Sequence, residues 1–195
     1  MTEIPYKIVL ASASPRRKEL LAGLDIDYSI RVFDNIDESS PSHLQGEDIP
    51  LFISGKKADA YMETLANDEL LITADTIVYI DNEVLGKPTT PQDAVNMLKK
   101  LSGKWHQVIT GVVLSTKEKR HSFAVTTQVK FAELTEAEIE YYVNRYSPLD
   151  KAGAYGIQEW IGYIGVERIE GSYFNVVGLP VQRLYQELKQ FVSGK

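Results

Sequence analysis

Apolar and polar positions follow one another along the chain in blocks that predict alternating strands and helices. Runs of apolar, β-prone residues predict strands at 7–11, 28–33, 70–80, 83–85, 105–115, 121–134 and 161–169, with a turn and short strand at 171–178. Apolar residues at helical spacing predict helices at 15–23, 49–65, 91–101, 135–146 and 180–192. This alternation, with two long adjacent strands near the middle, predicts an α/β or mixed α+β fold built on a mixed sheet.

Length and composition narrow the class of protein. A chain of 195 residues is predicted to form one domain, residues 1–195, and is long enough to bury a core without disulfides or metal. Its net charge of −6 disfavours sequence-independent nucleic-acid binding, which depends on cations that neutralise phosphates. The absence of cysteine excludes disulfides, thiolate zinc sites and a cysteine nucleophile. Since no apolar run reaches the roughly 18 residues of a membrane span, we expect a cytoplasmic protein without a membrane partner.

Three cations, Arg16, Arg17 and Lys18, lie in the first turn of the first predicted helix. Cations are unfavourable there because the helix dipole places positive charge at that end. Two explanations stay open. Either the turn binds a phosphate, with helix N–H groups, guanidinium groups and the hydroxyls of Ser12 and Ser14 as donors, or it is a solvated basic turn with Ser14 as an ordinary N-cap.

A single carboxylate, Asp75, interrupts the apolar run of the strand predicted at 70–80. Aspartate is depleted in strands, and its burial without a partner is costly. A carboxylate in such a place can be a metal ligand, a general base or one member of an ion pair, or it can make a structural hydrogen bond at the strand edge. The residues alone do not decide between these roles.

Other candidates are weak when each is taken alone. Lys57 lies in the second predicted helix, Glu38 in a polar loop, and Lys87 between Gly86 and Pro88 after the predicted hairpin. Lone lysines and loop acids are usually solvated. The glycine-containing loop 151–158 could let backbone approach a ligand, but it fits neither the Rossmann nor the Walker phosphate-binding pattern.

Together, these motifs resemble the Maf family of "septum formation" nucleotide pyrophosphatases. The resemblance covers nearly the whole chain, in order, and rests on LASASPRRKELL at 10–21, IDE at 36–38, KA at 57–58, ADT at 74–76, GKP at 86–88, LSG at 101–103, LDKAGAYGIQ at 149–158 and GSYFNVVGLP at 171–180. The opening motif and the last two are long, which makes a chance match very improbable.

The resemblance implies an enzyme that hydrolyses nucleoside triphosphates to the monophosphate and pyrophosphate with the help of a divalent cation. It also implies a cytoplasmic homodimer whose fold is similar to that of inosine triphosphate pyrophosphatases, an elongated mixed sheet with helices and a cleft between two lobes. Asp75-Thr76 and Gln158 match the pattern of the subgroup that acts on dTTP and UTP. The resemblance implies that such an enzyme removes unwanted nucleotides.

The same resemblance assigns roles to individual residues. It implies that Glu38 and Asp75 hold Mg²⁺ or Mn²⁺, for which carboxylate oxygens are suitable ligands, and that Asp75 orients or deprotonates the attacking water. Lys87 joins Asp75 and Glu38 in the implied catalytic set. The residues implied to bind the substrate are Ser12, Ser14, Arg16, Arg17, Lys57, Thr76 and Gln158.

The motifs also allow two other functions. One is a pyrophosphatase of the same fold that acts on a modified nucleotide such as 7-methyl-GTP. The other is a non-enzymatic division regulator that only binds a nucleotide, as the family's historical name suggests. The complete set of Asp75, Glu38 and Lys87 argues against the second, because a pure binding protein would not need it.

Overall fold

The computed structural model describes residues 4–194, in which strands and helices alternate as the sequence predicts. The strands are β1 (Lys7–Leu10), β2 (Tyr28–Ile30), β3 (Glu69–Ile80), β4 (Glu83–Leu85), β5 (Trp105–Ser115), β6 (Arg120–Phe131) and β7 (Val166–Glu170). The helices are α1 (Pro15–Ala22), α2 (Asp48–Tyr61), α3 (Pro91–Leu101), α4 (Glu136–Tyr146), α5 (Trp160–Gly165), α6 (Tyr173–Val177) and α7 (Val181–Ser193). Two short 3₁₀ turns lie at Met62–Thr64 and Ala152–Ala154.

The strands form one mixed sheet. Its order is β2-β1-β3-β5-β6-β7, and β4 pairs with β3 outside this path. β1 runs parallel to both β2 and β3, whereas the pairs β3–β4 and β6–β7 are antiparallel. The predicted mixed α/β fold with a mixed sheet is therefore confirmed.

The described chain divides into two compact units. The first contains residues 4–75, 110–125 and 178–194, and the second contains residues 76–109 and 126–177. β3, β5 and β6 each contribute residues to both units, so a unit contains parts of strands as well as whole elements.

In the first unit, apolar residues cover both faces of β1 and of the start of β3. Ile8 and Leu10 pack in a cluster with side chains of α1 and α7, whereas Val9 and Leu71 pack in another cluster with Tyr61 at the end of α2. Successive side chains of a strand point to opposite faces, so burial of both faces requires an unbroken apolar run. This explains why the β1 sequence does not alternate between apolar and polar residues.

The second unit has its own core. It is formed by the ends of the long strands together with α3, α4 and the segment that leads into α5, and its largest buried side chains include Phe131, Leu98 and Tyr142. Capping boxes at Thr90 and Thr135 begin α3 and α4. The helix predicted at 135–146 is thus confirmed, with Thr135 as its N-cap.

Two predicted strands near the C-terminus are wrong in part. Residues 161–165 belong to the helix α5, and only the rest of the run forms β7, because a short apolar run fits either element. Residues 173–177 form the helix α6. Its Asn175 is buried, and the side-chain amide donates to the Val108 carbonyl and to Oγ1 of Thr127, both at 3.0 Å. These tertiary contacts outweigh the β-preference of the two valines in α6.

A helix that crosses a bilayer must be both long and apolar. No helix within residues 4–194 combines enough length with enough apolar character to do so.

Candidate active site

Two carboxylates of the first unit share one buried lysine. Nζ of Lys57 lies 2.8 Å from Oδ1 of Asp75 and 2.9 Å from Oε1 of Glu38. The side chains of Lys57 and Asp75 are each only 11% exposed, whereas that of Glu38 is 50% exposed. The lysine therefore compensates the charge of a buried carboxylate on one side and of a partly solvated carboxylate on the other.

Side chains alternate between the two faces of β3, and this alternation explains how Asp75 reaches Lys57. Leu71, Thr73 and Asp75 are two residues apart and so lie on one face of the strand, the face that α2 covers. Oγ1 of Thr73 donates to the Ser54 carbonyl at 2.8 Å, and Lys57 lies almost one helical turn after Ser54. Asp75 is thus placed against α2 by the same strand–helix contact that forms the core.

The neighbouring lysine, Lys56, has a different role. It lies on another side of α2, and its Nζ donates to Oδ2 of Asp37 at 2.7 Å and to the Ser39 carbonyl at 3.2 Å. The hydrogen bonds from Lys56 and Ser39 hold the pKa of Asp37 below its ordinary value. Lys56 therefore fixes the loop that carries Glu38, while Lys57 contacts the carboxylates themselves.

The start of α1 has the geometry that the sequence predicts. Oγ of Ser14 accepts from the Arg17 N–H at 3.4 Å, Pro15 occupies the first turn, and this turn contains no acidic residue. Ser12 is buried, and its Oγ accepts from the Ser14 N–H at 3.3 Å. Arg16 is half-buried. Ser14 is thus the N-cap of α1.

Arg17, one of the residues implied to bind the substrate, contacts two backbone carbonyls with its guanidinium group. Nε donates to the Gly178 carbonyl at 2.9 Å, and Nη1 donates to the Ala74 carbonyl at 2.7 Å. Burial lowers the pKa of Arg17, and the charges of Asp75 and Glu38 oppose that shift. Arg17 therefore links α1 to the strand residue that precedes Asp75 and to the segment that leads into α7. This contact has no signal in the local sequence, because its two acceptors are backbone carbonyls far away in the chain.

Three of the implied site residues belong to the second unit. Thr76 follows Asp75 in β3 and is half-buried, and Lys87 is exposed in a loop whose Gly86 carbonyl accepts from the Gly153 N–H at 3.1 Å. Oε1 of Gln158 is buried and has no hydrogen-bond partner within residues 4–194. The structure thus brings together Glu38, Lys57 and Asp75 in one unit, and the loops around Lys87 and before Gln158 in the other.

The donor set suits a divalent cation that is shared with a substrate. Among residues 4–194, no group of three or more His, Cys, Asp or Glu side chains is arranged to hold a metal ion. Mg²⁺ commonly binds one or two protein carboxylates and completes its shell with water and substrate phosphates. Glu38 and Asp75 meet at the same ammonium group and provide two such carboxylates, so these residues fit a metal of this kind.

Comparisons with known proteins agree with the motifs. Residues 7–191 match the family described as Maf-like protein. A Bacteroides fragilis protein named dTTP/UTP pyrophosphatase is 62% identical over 185 residues, which are 95% of this chain and 96% of that protein. A Parabacteroides distasonis protein of the same name is 60% identical over 186 residues, again 95% of this chain and 96% of that protein. Among solved structures, a HAM1 protein from Coxiella burnetii matches with a TM-score of 0.49 and 13% identity, covering 95% of this chain and 99% of that one.

Proposed function

The chain belongs to the Maf-like protein family, and on this basis we propose that it is an enzyme that hydrolyses dTTP and UTP to the monophosphate and pyrophosphate. Relatives that are 62% and 60% identical over almost their full lengths carry the name dTTP/UTP pyrophosphatase. The single observation that carries the proposal is the cluster of Asp75, Lys57 and Glu38, because it supplies the groups that such a hydrolysis requires.

Asp75 is the proposed base. When pyrophosphate is the leaving group, water attacks the α-phosphorus, and a carboxylate can orient this water and accept its proton. Lys57 lies against Oδ1 of Asp75 and places a positive charge beside this carboxylate inside a largely buried site. The proposed role of Lys57 is therefore to support the two carboxylates as well as to attract the phosphates.

The triphosphate is proposed to bind at the start of α1. A nucleoside triphosphate carries about four negative charges near neutral pH, and a helix N-terminus with cations attracts such an anion. Arg16 and the hydroxyls of Ser12 and Ser14 are the proposed donors there, and Lys87 is proposed as a further cation for the phosphates. Binding of phosphate would explain why this turn contains cations and no acid.

Glu38 and Asp75 are the proposed ligands of Mg²⁺ or Mn²⁺. Such an ion, when bound, neutralises phosphate charge and lowers the pKa of water. The resemblance to the family further supports a cytoplasmic homodimer, which we propose as the form of the enzyme.

Base selection is proposed to depend on Gln158. Its buried Oε1 has no partner within residues 4–194 and can accept from N3–H of uracil or thymine, while its amide donates to O4. A rotated amide could also match cytosine, so selection of uracil over cytosine requires a second group that can only donate. Arg17 is such a group, because a guanidinium only donates, and Thr76 is the third proposed contact.

The test is a panel of UTP, dTTP, CTP, ATP, GTP and 7-methyl-GTP, assayed for pyrophosphate release with and without a divalent cation. We expect UTP and dTTP to be hydrolysed best, and only in the presence of the cation. A higher kcat/KM for 7-methyl-GTP than for UTP would contradict the proposed substrate class. Binding of nucleotides with no hydrolysis of any of them would contradict the proposed reaction.

A further inference from the structure

The segment that carries Gln158 is anchored on both sides of this residue within the second unit. Upstream, Nε2 of the buried His106 lies 2.7 Å from the hydroxyl of Tyr155. Downstream, the Gly162 N–H donates to the Glu159 carbonyl at 2.9 Å, and the Glu159 N–H donates to the Gly156 carbonyl at 2.9 Å. The backbone around Gln158 is thus a tight turn with hydrogen bonds at both ends.

One side chain, Tyr142 of α4, contacts this turn on both sides of Gln158. Its hydroxyl accepts from the Gly156 N–H at 3.1 Å and donates to Oε2 of Glu159. Burial, together with the hydrogen bond to Glu159, raises the pKa of Tyr142, so the phenol stays protonated and keeps its donor. A single hydroxyl therefore joins residues 156 and 159, which flank Gln158.

Glu159 is held in turn by a buried lysine. Oε1 of Glu159 lies 3.1 Å from Nζ of Lys151, whose side chain is 9% exposed. The space between these groups and the backbone is full: a Cβ on Gly156 would lie 2.9 Å from Cδ of Glu159 and 3.1 Å from Cε of Lys151. A Cβ on Gly162 would lie only 1.8 Å from the Ile157 carbonyl oxygen. Glycine at these two positions lets the turn close this tightly.

This anchoring explains how the carbonyl end of Gln158 can stay buried without a partner. An unpaired buried oxygen is unfavourable, and a mobile side chain on a mobile loop would turn to find a donor. A fixed backbone limits the positions that the amide can reach. It keeps the acceptor oriented before any ligand arrives, which reduces the ordering that binding requires.

We propose that Tyr142 is a positioning residue for pyrimidine selectivity, acting through Gly156 and Glu159 on the orientation of Gln158. The inference rests on the proposed function, because it assigns Gln158 to the base of the substrate. Tyr142 itself contacts the turn and not the nucleotide. Its removal should therefore weaken recognition of the correct base more than the chemical step.

The experiment compares Tyr142→Phe with the wild-type enzyme, using kcat and KM for UTP and CTP. Loss of the hydroxyl removes two hydrogen bonds, and we expect the KM for UTP to rise about three- to tenfold, with the UTP-to-CTP ratio of kcat/KM falling by a similar factor. The kcat for UTP should change less than about twofold. Tyr146→Phe is the matched control, because it removes a phenol hydroxyl from the same helix next to Tyr142, and it should leave all four constants unchanged.

A second variant covers the case in which Tyr142→Phe fails to fold. Gly156→Ala places a methyl group against Glu159 and Lys151, and it should lower the same ratio while Tyr142 is retained. Unchanged selectivity in a folded Tyr142→Phe or Gly156→Ala enzyme, whatever its melting temperature, would overturn the inference. A wild-type enzyme that does not prefer UTP over CTP would instead overturn the proposed base selection, and this inference with it.

Discussion

The ammonium group of Lys57 lies 2.8 Å from the carboxylate of Asp75, and both side chains are almost fully buried. Removal of one member of a buried pair leaves an uncompensated charge, which commonly costs 3–5 kcal/mol. Here Glu38 provides a second partner for the lysine at 2.9 Å. The cluster can therefore lose the charge of Asp75 without leaving Lys57 unpaired, which allows catalysis and folding to be tested separately.

Asp75→Asn is expected to abolish turnover while the protein stays folded. The amide keeps an oxygen that can accept from Lys57, but it can neither accept the proton of water nor balance the charge of a metal ion. We expect kcat to fall at least about 10²-fold, as measured by pyrophosphate release from UTP, with an unchanged circular dichroism spectrum.

Asp37→Asn is the matched control for this change. Asp37 is a nearby carboxylate paired with Lys56 at 2.7 Å, and its side chain is 67% exposed. The new amide keeps an oxygen that can accept from Lys56, so the loop of Glu38 should stay in place, and kcat should stay within about twofold because surface ion pairs contribute little. Near wild-type turnover of a folded Asp75→Asn enzyme would remove Asp75 from the proposed chemistry.

The two arginines at the start of α1 are expected to respond differently to substitution by alanine. Arg16→Ala should raise the KM for UTP with little change in the melting temperature, since removal of a cation from a positive helix end relieves a repulsion of roughly 0.3–1 kcal/mol. Arg17→Ala should lower the melting temperature by several degrees, because it leaves the Ala74 and Gly178 carbonyls without their donor. Thermal unfolding of both proteins without ligand is the measurement. A strongly destabilised Arg16→Ala protein with normal kinetics would mean that Arg16 is structural.

Much of this architecture could be predicted from the sequence, because local signals and tertiary contacts agree there. The hairpin strand 83–85 and the strand at 105–115 lie where the sequence predicts them, and Pro15 and Thr135 mark helix starts correctly. In contrast, α5 and α6 form against the local preference, and their burial depends on residues distant in the chain.

The candidate site likewise combines features that the sequence predicts with features that only the structure shows. The position of Asp75 in a buried strand is visible in the sequence, since a lone carboxylate interrupts an apolar run. The sequence does not show that two carboxylates share Lys57. It also does not show that Arg17 donates to two backbone carbonyls. Backbone acceptors carry no residue-type signal, so only the folded structure identifies them.

The buried His106 is expected to make the stability of the protein depend on pH. Burial lowers the pKa of His106 to about 4 from an ordinary value of 6.5. The unfolded chain therefore binds a proton at higher pH than the folded protein does, and the stabilising contribution present above pH 6.5 is lost as the pH falls toward 4. Between about pH 7.5 and pH 5 this loss is on the order of 2 kcal/mol.

Urea unfolding at these two pH values measures the effect. His106→Gln should lower the stability at both values but should make the difference between them smaller. His43→Gln is the control, because His43 is exposed, and it should leave the difference unchanged. An undiminished pH difference in His106→Gln would show that other groups cause the acid sensitivity.

Gln158→Glu is expected to reduce hydrolysis of UTP. A carboxylate repels O4 of uracil, whereas the amide donates to it, and one mismatched polar contact changes kcat/KM by about tenfold to a hundredfold. Steady-state kinetics with UTP, dTTP and CTP measure the change. No residue is assigned to the 5-methyl group or the 2′-hydroxyl, so UTP and dTTP should lose activity to a similar extent. Equal losses for all three nucleotides would indicate that Gln158 does not select the base.

The central claim, hydrolysis of the bond between the α- and β-phosphates by the Asp75 cluster, is tested most directly by ³¹P NMR of UTP incubated with the enzyme and Mg²⁺. The account predicts UMP and pyrophosphate in equal amounts as the first products, and neither product with Asp75→Asn. Formation of UDP and orthophosphate by the wild-type enzyme, or of UMP and pyrophosphate at an undiminished rate by Asp75→Asn, would contradict it.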